Sequence, residues 1–445
     1  MTDLHRGSRP SADATGDTAG ERTVTIGMLG CGIVGSGVVR LLTEHSEEIA
    51  ARVGARVVMG PVAVRNTVRD RDVDVAVTGD VHAVTGAPEV DIVVEVMGGI
   101  EPARALLTEA LESGKHVVTA NKELIATYGA ELATLAREKG ARLEYEGAVA
   151  GGIPIIKPLR ESLAGDRVRK VLGILNGTTN YILTKMTEEG ASFAEALGEA
   201  QRLGYAERDP SADVEGFDAA AKTAILASLA FDAKVVAGDV YREGITAVTA
   251  TDISYAARMG YVIKLLGIAE ERDGAVGVRV HPALIPAAHP LASVRESFNA
   301  VFVEADAVGD LMFYGRGAGS LPTASAVVGD VVTVARALLA GERPAVGKPP
   351  AAKPISPFSD TVVQYYVLLD VADEPGVLAA VAGAFGQAAV SIKSVWQEGV
   401  GDHAQLLLIT HAARERDLQA ALHTLRKLAT VRAVASVMRV EGGEA

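Results

Sequence analysis

The sequence is short of cysteine, of basic charge and of long apolar runs, and each shortage excludes a class of function. Its 445 residues include one cysteine, Cys31, which excludes an intrachain disulfide and a cysteine-rich metal site. Asp and Glu outnumber Lys and Arg by 56 to 43, giving a net charge of −13. Because no block of basic residues offers a surface for nucleic-acid phosphates, we expect no nucleic-acid partner.

The longest uncharged run, Pro375–Ile392, contains three glycines and a glutamine. Such a run is typical of a helix leading into a strand and not of a membrane span. The first 21 residues are polar and lack the apolar stretch that follows the basic start of a signal peptide. We therefore expect a disordered tail over 1–21, a cytoplasmic location and no membrane partner.

The apolar pattern predicts three domains. Residues 22–152 alternate short apolar strands with helix-spaced apolar residues, which predicts a parallel, doubly wound α/β sheet completed by a returning helix at about 320–343. Residues 153–319 predict an α+β domain. A proline-rich linker is expected over 344–358, and a compact βαββαβ pattern follows over 359–445. The elements predicted for the first domain are strands at Thr23–Leu29, Arg56–Val64, Val90–Val96 and Lys115–Thr119, and helices at Ile33–Ala51 and Glu101–Ser113.

A glycine-rich loop follows the first predicted strand. Gly30, Gly32 and Gly35 form a G-x-G-x-x-G motif that runs through Ile33 and Val34 into a helix. The glycines permit a tight turn, close approach of backbone N–H groups to a pyrophosphate, and close packing of helix on strand. The motif in this setting predicts dinucleotide binding, with a plain turn as the alternative.

The residue after the second strand discriminates between nicotinamide cofactors. An acidic residue there would bind the ribose 2′-hydroxyl of NAD, whereas an arginine suits a 2′-phosphate. Arg65 occupies this position and no acid does, which favours NADP over NAD. A solvated surface arginine is the alternative.

The densest polar cluster lies between Gly204 and Lys222. Asp218 and Lys222 are four residues apart, so they share one face of the predicted helix. An ammonium group beside a carboxylate can donate a proton to a substrate oxygen, although an ordinary surface ion pair is the commoner arrangement. The preceding loop offers Glu207, Asp209 and Asp213 to a cationic ligand such as an amino group.

Several strings in this chain resemble the motifs of homoserine dehydrogenases, in the order of that family. The strings are Glu95–Gly99, Thr119–Lys122, Asn176–Asn180, Ala200–Lys222 and Gly317–Ala326. The resemblance covers most of residues 22–340. It implies a Rossmann-type dinucleotide-binding domain, a substrate and dimerisation domain, and NAD(P)H-dependent reduction of L-aspartate 4-semialdehyde to L-homoserine in threonine and methionine biosynthesis. A homodimer or homotetramer is expected.

The resemblance also implies roles for individual residues. Lys222 would donate the proton, Asp218 would be its hydrogen-bonded partner, and Lys122 would lie between the nicotinamide and the substrate; the sequence leaves open which lysine carries the proton. Glu207 would bind the substrate amino group. Asp213 and Thr178 would help to hold the substrate, and Gly319 would contact the cofactor.

A monovalent-cation site is a further implication of the resemblance. It would map to Glu146 and the backbone carbonyl groups of Val149, Gly151 and Ile153, with Na⁺ as the expected ion. The alternative is a glycine-rich hinge packed between two domains without an ion.

The C-terminal segment resembles an ACT domain, a ferredoxin-like fold. An apolar strand from Tyr365 leads into Asp373, Pro375 and Gly376 at a strand-to-helix turn. ACT domains resemble small amino-acid sensors that pair edge to edge, which makes threonine the expected effector; a purely structural dimerisation module is the alternative.

Two other functions share some of these features. A semialdehyde dehydrogenase with a cysteine nucleophile is excluded because Cys31 lies inside the cofactor loop. A catalytically silent sensor of nucleotides and amino acids is disfavoured by the presence of Lys122, Asp218 and Lys222 together.

Overall fold

The computed structural model describes residues 22–69, 71–343, 352–399 and 404–443. The predicted tail over 1–21 lies outside the described residues, as does the part of the predicted linker over 344–351.

The first domain is built on a six-stranded sheet in which every strand pair is parallel. The strand order is β3-β2-β1-β4-β5-β6, so the chain reverses its direction of travel across the sheet between β1 and β4. The elements are β1 (Thr23–Leu29), α1 (Ile33–Glu44), α2 (Ser46–Val53), β2 (Arg56–Ala63), β3 (Val77–Thr78), α3 (His82–Thr85), β4 (Ile92–Glu95), α4 (Ala103–Glu112), β5 (His116–Thr119), α5 (Lys122–Glu138) and β6 (Leu143–Glu144). The predicted doubly wound α/β sheet is confirmed.

The single helix predicted over Ile33–Ala51 is wrong. His45 leaves the helical conformation at φ −113° and ψ 26°, which divides the segment into α1 and α2. The break redirects the chain so that Ile49 and Val53 of α2 enter the same apolar core as Val38 and Leu42 of α1.

The second domain begins with two short turns, a 3₁₀ helix at Glu146–Ala148 and a π-type turn at Pro158–Ser162. A mixed sheet and long helices follow. The elements are β7 (Val168–Ile174), α6 (Gly177–Glu188), α7 (Phe193–Arg202), α8 (Ser211–Val214), α9 (Phe217–Ala230), β8 (Tyr241–Arg242), α10 (Ala250–Arg258), β9 (Tyr261–Arg272), β10 (Ala275–Pro286), β11 (Phe298–Ala305) and β12 (Gly309–Arg316). The next helix, α11 (Ser320–Leu339), returns to the first domain. Helix α9 is buried over ten consecutive residues and packs against both α5 and the sheet.

Helix α11 packs against α1 of the first domain. Gly37 permits this contact, because a Cβ atom there would lie 2.9 Å from the Cβ atom of Ala324, and Ser320 Oγ donates a hydrogen bond of 2.7 Å to the Ile33 carbonyl oxygen. By length and composition α11 could cross a membrane, but half of its most apolar window is buried inside the protein. Its apolar residues belong to the core of the first domain.

The C-terminal domain has the βαββαβ order of an ACT domain. Its elements are β13 (Val362–Val371), α12 (Val377–Gln387), β14 (Ile392–Glu398), β15 (Ala404–Thr410), β16 (Ala413–Arg414), α13 (Glu415–Leu425) and β17 (Val431–Val440). The main strands lie in the order β17-β13-β15-β14, and α12 and α13 cover one face. The predicted ferredoxin-like fold is confirmed.

The sheets of the second and third domains are continuous. Strand β17 pairs in parallel with β10, with Ala283 opposite Arg439 and Leu284 opposite Val440, to give one sheet of eleven strands. The other face of the ACT sheet meets α10, where Tyr366 donates a hydrogen bond of 3.1 Å to Asp252. The third domain is therefore fixed to the second through both a strand edge and a sheet face.

A buried group of charges lies at this junction, and we call Lys170, Arg279 and Glu441 the joint cluster. Glu441 accepts bonds from Arg279 Nη2 at 2.7 Å and Lys170 Nζ at 2.8 Å, while Arg279 Nη1 lies 2.5 Å from Glu270. The side chains of Arg279 and Glu441 are only 1% and 2% exposed. These ion pairs connect the end of the chain to β7, β9 and β10.

The described part of the predicted linker is docked on the second domain. Ser356 donates a 2.9 Å backbone bond to Val276, Val276 donates another to Pro354, and Lys353 Nζ lies 3.1 Å from Glu271. Residues from 352 onward thus form an extended segment on the edge of the second domain.

Candidate active site

The glycine-rich loop lies at the carboxyl ends of β1 and β4, where the strand order reverses. Ligands of open α/β sheets bind in the crevice at this point. Gly30 has φ +93°, and a Cβ atom there would lie 3.0 Å from both the Val96 carbonyl oxygen and Met97 Cγ. At Gly35 a Cβ atom would lie 2.7 Å from the Gly30 carbonyl oxygen. These two positions therefore require glycine.

The first turn of α1 is open to an anionic ligand. Space surrounds Gly32, no side chain caps the helix, and Ile33 is 76% exposed, while Val34 is partly buried. The free N–H groups and the positive end of the helix dipole form a suitable cradle for a pyrophosphate. The predicted dinucleotide-binding loop thus has the required local geometry.

Arg65 lies just beyond β2 with its side chain exposed. A second guanidinium group, that of Arg71, connects the two loops at this edge, since Nη2 donates to the Asn66 carbonyl oxygen at 2.7 Å and Nε donates to the Cys31 carbonyl oxygen at 3.3 Å. The edge of the crevice beside β2 is consequently positive.

Three charged side chains meet where the N-terminal ends of α5 and α9 approach each other, and we call them the lysine–aspartate cluster. Asp218 Oδ2 accepts a bond of 2.7 Å from Lys222 Nζ, and Asp218 Oδ1 pairs with Lys122 Nζ. The side chains of Asp218 and Lys222 are 5% and 10% exposed, whereas Lys122 is 38% exposed. The alternative of an ordinary surface pair for Asp218 and Lys222 is excluded by this burial.

The environment gives the two lysines different acidities. Burial lowers the pKa of Lys222, and the charge of Lys122 lowers it further, against the opposing effect of Asp218. Burial would also lower the pKa of Lys122, but the charge and hydrogen bond of Asp218 outweigh it, so that this pKa is raised. Although burial alone would raise the pKa of Asp218, the two lysines hold it well below its usual range. Lys222 is therefore the member of the cluster that releases a proton more readily.

Asn176 organises this cluster; the sequence placed it in a family-like string but gave it no role of its own. Its Nδ2 donates to Asp218 Oδ2 at 2.9 Å and to Asp213 Oδ1 at 2.7 Å, while its Oδ1 caps α6 by accepting a 2.9 Å bond from the Thr179 amide. Asn176 and Gly177 follow a strand, a pattern that favours a helix N-cap at this point. Nothing in that pattern indicates the contacts with Asp213 and Asp218, which lie 37 and 42 residues away.

The predicted substrate-binding residues lie in three different environments. Asp213 joins the cluster through Asn176. Thr178 is buried, and its hydroxyl group donates a 2.7 Å bond to the Tyr205 carbonyl oxygen, which fixes the loop after α7. Glu207 is exposed in this loop, and Asp209 instead accepts bonds from Ser211, so its carboxylate is used locally.

The turn around Gly151 connects the first domain to the second. Ala150 and Gly151 both have positive φ, at 54° and 52°, and a Cβ atom on Gly151 would lie 2.5 Å from the Gly317 carbonyl oxygen. Gly319, in the same loop as Gly317, is the N-cap residue that precedes α11 and has a φ of +121°. The two segments thus approach each other with backbone against backbone.

This turn also contains the predicted cation ligands. The carbonyl oxygens of Val149, Gly151 and Ile153 accept no hydrogen bond from the described residues, so they are available to a hard cation. The carboxylate of Glu146 differs, because it accepts bonds from the amides of Ile155, Ile156 and Lys157 at 2.6, 2.8 and 2.9 Å. Within the described residues, no cluster of three or more His, Cys, Asp or Glu side chains has the arrangement of a metal site.

Comparisons with known proteins identify the family of each domain. Residues 30–146 match the family profile of the homoserine dehydrogenase NAD-binding domain, residues 154–332 that of homoserine dehydrogenase, and residues 365–430 that of the ACT domain. The chain is 50% identical over 434 residues to a homoserine dehydrogenase of Mycobacterium tuberculosis, covering 95% of this chain and 98% of that one.

Two solved structures are also similar. A homoserine dehydrogenase from Thiobacillus denitrificans superposes with a TM-score of 0.90 at 42% identity, covering 95% of this chain and 99% of that one. A hyperthermophilic archaeal homoserine dehydrogenase in complex with NADPH superposes with a TM-score of 0.59 at 27% identity, covering 70% of this chain and 98% of the other.

Proposed function

Because the chain belongs to the homoserine dehydrogenase family, we propose that it reduces L-aspartate 4-semialdehyde to L-homoserine, reversibly, in the synthesis of threonine and methionine. It is an NAD(P)-dependent oxidoreductase that acts on the CH–OH group of homoserine. The observation that supports the proposal best is the buried pairing of Asp218 with Lys122 and Lys222 beside the cofactor crevice.

The proposed reaction needs a proton for the aldehyde oxygen. When bound in the crevice, a reduced nicotinamide cofactor would provide the hydride that the aldehyde carbon needs. Lys222 donates a proton to the oxygen as the C–O double bond becomes single, which completes the alcohol. Its lowered pKa supports this assignment over Lys122, whose raised pKa keeps it charged and suited to stabilising negative charge that develops on the oxygen.

We propose that the acidic side chains of Glu207 and Asp213 hold the substrate. Glu207 binds the amino group, and its exposed carboxylate is consistent with a role that requires a free anion. Asp213 is oriented by Asn176, and Thr178 fixes the loop that carries Glu207. Binding of substrate would bring this loop over the lysine–aspartate cluster and exclude water.

We propose NADP as the preferred cofactor. Arg65 and Arg71 provide two guanidinium groups beside β2, where a 2′-phosphate would lie. Arg65→Ala should lower the ratio of kcat/KM for NADP over NAD by about 10- to 100-fold, whereas Arg52→Ala, on the exposed end of α2, should leave the ratio unchanged. An unaltered ratio in Arg65→Ala would contradict the assignment.

We propose that Na⁺ binds at the Val149, Gly151 and Ile153 carbonyl groups and orders the interdomain turn, with Glu146 bracing the same turn through its three amide bonds. The ion has no part in proton or hydride transfer. Thermal midpoints in NaCl and in choline chloride of equal ionic strength should differ, because only Na⁺ fits the carbonyl site.

Threonine is the proposed effector, acting through the ACT domain, and the enzyme is proposed to be a cytoplasmic homodimer or homotetramer. The turn at Gly376, with φ +96°, starts α12 without a side-chain cap from that residue. Threonine inhibition that saturating homoserine does not relieve would support a site outside the catalytic centre; competitive inhibition would place threonine in the active site.

Homoserine oxidation by the full-length protein tests the function. Turnover should occur with NADP and more slowly with NAD, and the reverse reaction should consume aspartate 4-semialdehyde. Cofactor binding without turnover in either direction would contradict the proposal.

A further inference from the structure

Beneath the cofactor crevice, a set of hydrogen bonds and the peptide link between Gly98 and Gly99 form a closed ring, which ends at the residue before Lys122. It begins at Glu95, the last residue of β4, whose side chain is completely buried. Glu95 Oε1 accepts bonds from the amides of Met97 at 2.7 Å and Gly98 at 3.1 Å. Glu95 Oε2 accepts a bond of 2.6 Å from the hydroxyl group of Thr119, at the end of the neighbouring strand β5.

The ring continues from Thr119 to the start of α5. Thr119 Oγ1 accepts a 3.0 Å bond from the Asn121 amide, and Asn121 Nδ2 donates a 2.6 Å bond to the Gly99 carbonyl oxygen. Asn121 Oδ1 accepts a 3.1 Å bond from the Leu124 amide and so caps α5. The next residue is Lys122, the first residue of that helix.

The directions of these bonds are fixed by chemistry. A backbone amide can only donate, so Thr119 Oγ1 must be the acceptor for Asn121, and its single proton must go to Glu95. Glu95 then accepts three hydrogen bonds, which is what a buried carboxylate requires to remain inside a core. Each member therefore depends on the next, and a side chain of similar shape without the hydroxyl group cannot replace Thr119.

The ring also supports the glycine-rich loop. Gly98 and Gly99 adopt φ values of +75° and +74°, in the turn whose Met97 and Gly98 amides donate hydrogen bonds to Glu95. The backbone at Val96 and Met97 lies against Gly30, where there is no space for a Cβ atom. One buried carboxylate thus touches the turn that faces the cofactor and, through two further residues, the helix that carries Lys122.

We propose that Glu95 and Thr119 are positioning residues, which set the position of Lys122 relative to the nicotinamide site by fixing the start of α5 against the 97–99 turn. This inference rests on the proposed role of Lys122. The ring aligns groups that must meet in the reaction, and an error of about 1 Å in such alignment can cost about 100-fold in rate.

Thr119→Val tests the proposal, since it keeps the shape of the side chain and removes the hydroxyl group. We expect kcat for homoserine oxidation to fall about 10- to 100-fold, while the Kd of NADP changes less than about twofold. The primary deuterium isotope effect on kcat should rise, because hydride transfer becomes slower relative to product release. Thr119→Ser keeps the hydroxyl group and should restore kcat to within about threefold of the unaltered enzyme.

Thr85→Val is a matched control in the same domain. Thr85 is also completely buried and donates a 2.8 Å bond to a glutamate, Glu109, but it lies on α3. Its loss should lower thermal stability without changing kcat or the isotope effect. A kcat for Thr119→Val within about threefold of the unaltered enzyme, or an equal loss in Thr119→Ser, would overturn the proposal.

Asn121→Asp provides a second test if Thr119→Val does not fold. It retains the oxygen that caps α5 and replaces the donor to Gly99 with an acceptor, so kcat should fall while the helix persists. Lys122→Ala separates this inference from the proposed function. A normal kcat in Lys122→Ala would contradict the proposed role of Lys122. A low kcat in Lys122→Ala together with a normal kcat in Thr119→Val and Asn121→Asp would contradict only the ring proposal.

Discussion

The lysine–aspartate cluster and the joint cluster each hold two basic side chains around one buried carboxylate. In the first, Asp218 lies between Lys122 and Lys222; in the second, Glu441 lies between Lys170 and Arg279. The difference is in what the cations can do. The pKa of Lys222 is lowered by burial and by Lys122, so it can release a proton.

At the joint cluster the balance is reversed. Burial would lower the pKa of Lys170, but Glu441 raises it, and Arg279 is a guanidinium group that keeps its proton in proteins. Arg279 is also bonded to a second carboxylate, Glu270. In the lysine–aspartate cluster, one cation is destabilised and the cleft is open, so the group suits proton transfer. In the joint cluster, every charge is stabilised and covered, so the same kinds of side chain hold two domains together.

Lys222→Ala is the change with the largest expected effect on this contrast. Loss of the proton donor should reduce kcat for homoserine oxidation by about 10²- to 10⁴-fold with little change in NADP affinity. Lys170→Ala is the matched control and should lower stability while leaving kcat unchanged. Near-normal turnover in Lys222→Ala would move the proton-donor role to Lys122.

Glu441→Gln tests the joint cluster, where we expect a loss of stability and not of turnover. It removes the charge that both Lys170 and Arg279 face, which should lower the free energy of unfolding by about 3–5 kcal/mol. Turnover at 25 °C should be retained. Urea denaturation followed by circular dichroism measures the effect, with Glu189→Gln in the exposed pair with Lys185 as a control expected to change by less than about 1 kcal/mol.

Arg279→Lys tests whether stability depends on the two separate nitrogen atoms of the guanidinium group, which pair with Glu270 and Glu441. A lysine cannot reach Glu270 and Glu441 with two separate nitrogen atoms, so one charged hydrogen bond should be lost, at about 1.5–3 kcal/mol of unfolding free energy. Arg272→Lys, on the exposed end of β9, should be neutral in the same assay. Equal stability of Arg279→Lys and the unaltered protein would show that net charge alone holds the joint.

The smallest expected effect is a difference between the two clusters in their dependence on pH. Homoserine oxidation needs neutral Lys222 to accept a proton, so kcat should fall about tenfold per pH unit below the lowered pKa of Lys222 and reach a plateau above it. Aldehyde reduction needs the protonated form and should slow as pH rises through the same value. The stability that the joint cluster contributes, measured as the difference in unfolding midpoint between the unaltered protein and Glu441→Gln, should stay constant across both limbs, since Lys170 and Glu441 keep their charges there.

Local structure was largely predictable from the sequence, because strand and helix periods are short-range signals. The bounds of β1, Thr23–Leu29, are those predicted, and the βαββαβ order of the last domain is correct. The break at His45 was missed because no glycine or proline marks it. The pairing of β10 with β17 was also missed, since nothing in either strand indicates a partner about 150 residues away in the chain.

The charged members of the active site were predictable, but their supports were not. Asp218 and Lys222 stand four residues apart, which a helix period detects, whereas Lys122 joins them from 96 residues away and was found only through the resemblance to a family. Asn176, Glu95 and Thr119 act through hydrogen bonds between distant segments. Their chemistry becomes visible only when the chain is folded.

The continuity of the sheet also decides how the ACT domain can be studied. Deletion of residues 359–445 would remove β17 from its pairing with β10. It would also leave Lys170 and Arg279 without their partner Glu441. An uncovered strand edge of this kind promotes association between chains. Regulation is therefore better tested by point substitutions than by truncation.

The single tryptophan gives this protein an optical property of its own. Trp396 lies on β14, at the end of the eleven-stranded sheet opposite β12, and is 43% exposed. All indole emission from the chain therefore originates at one edge of one domain, far along the sheet from the strands of the second domain. A change in its wavelength or polarisation would report events at that edge, such as docking of another molecule.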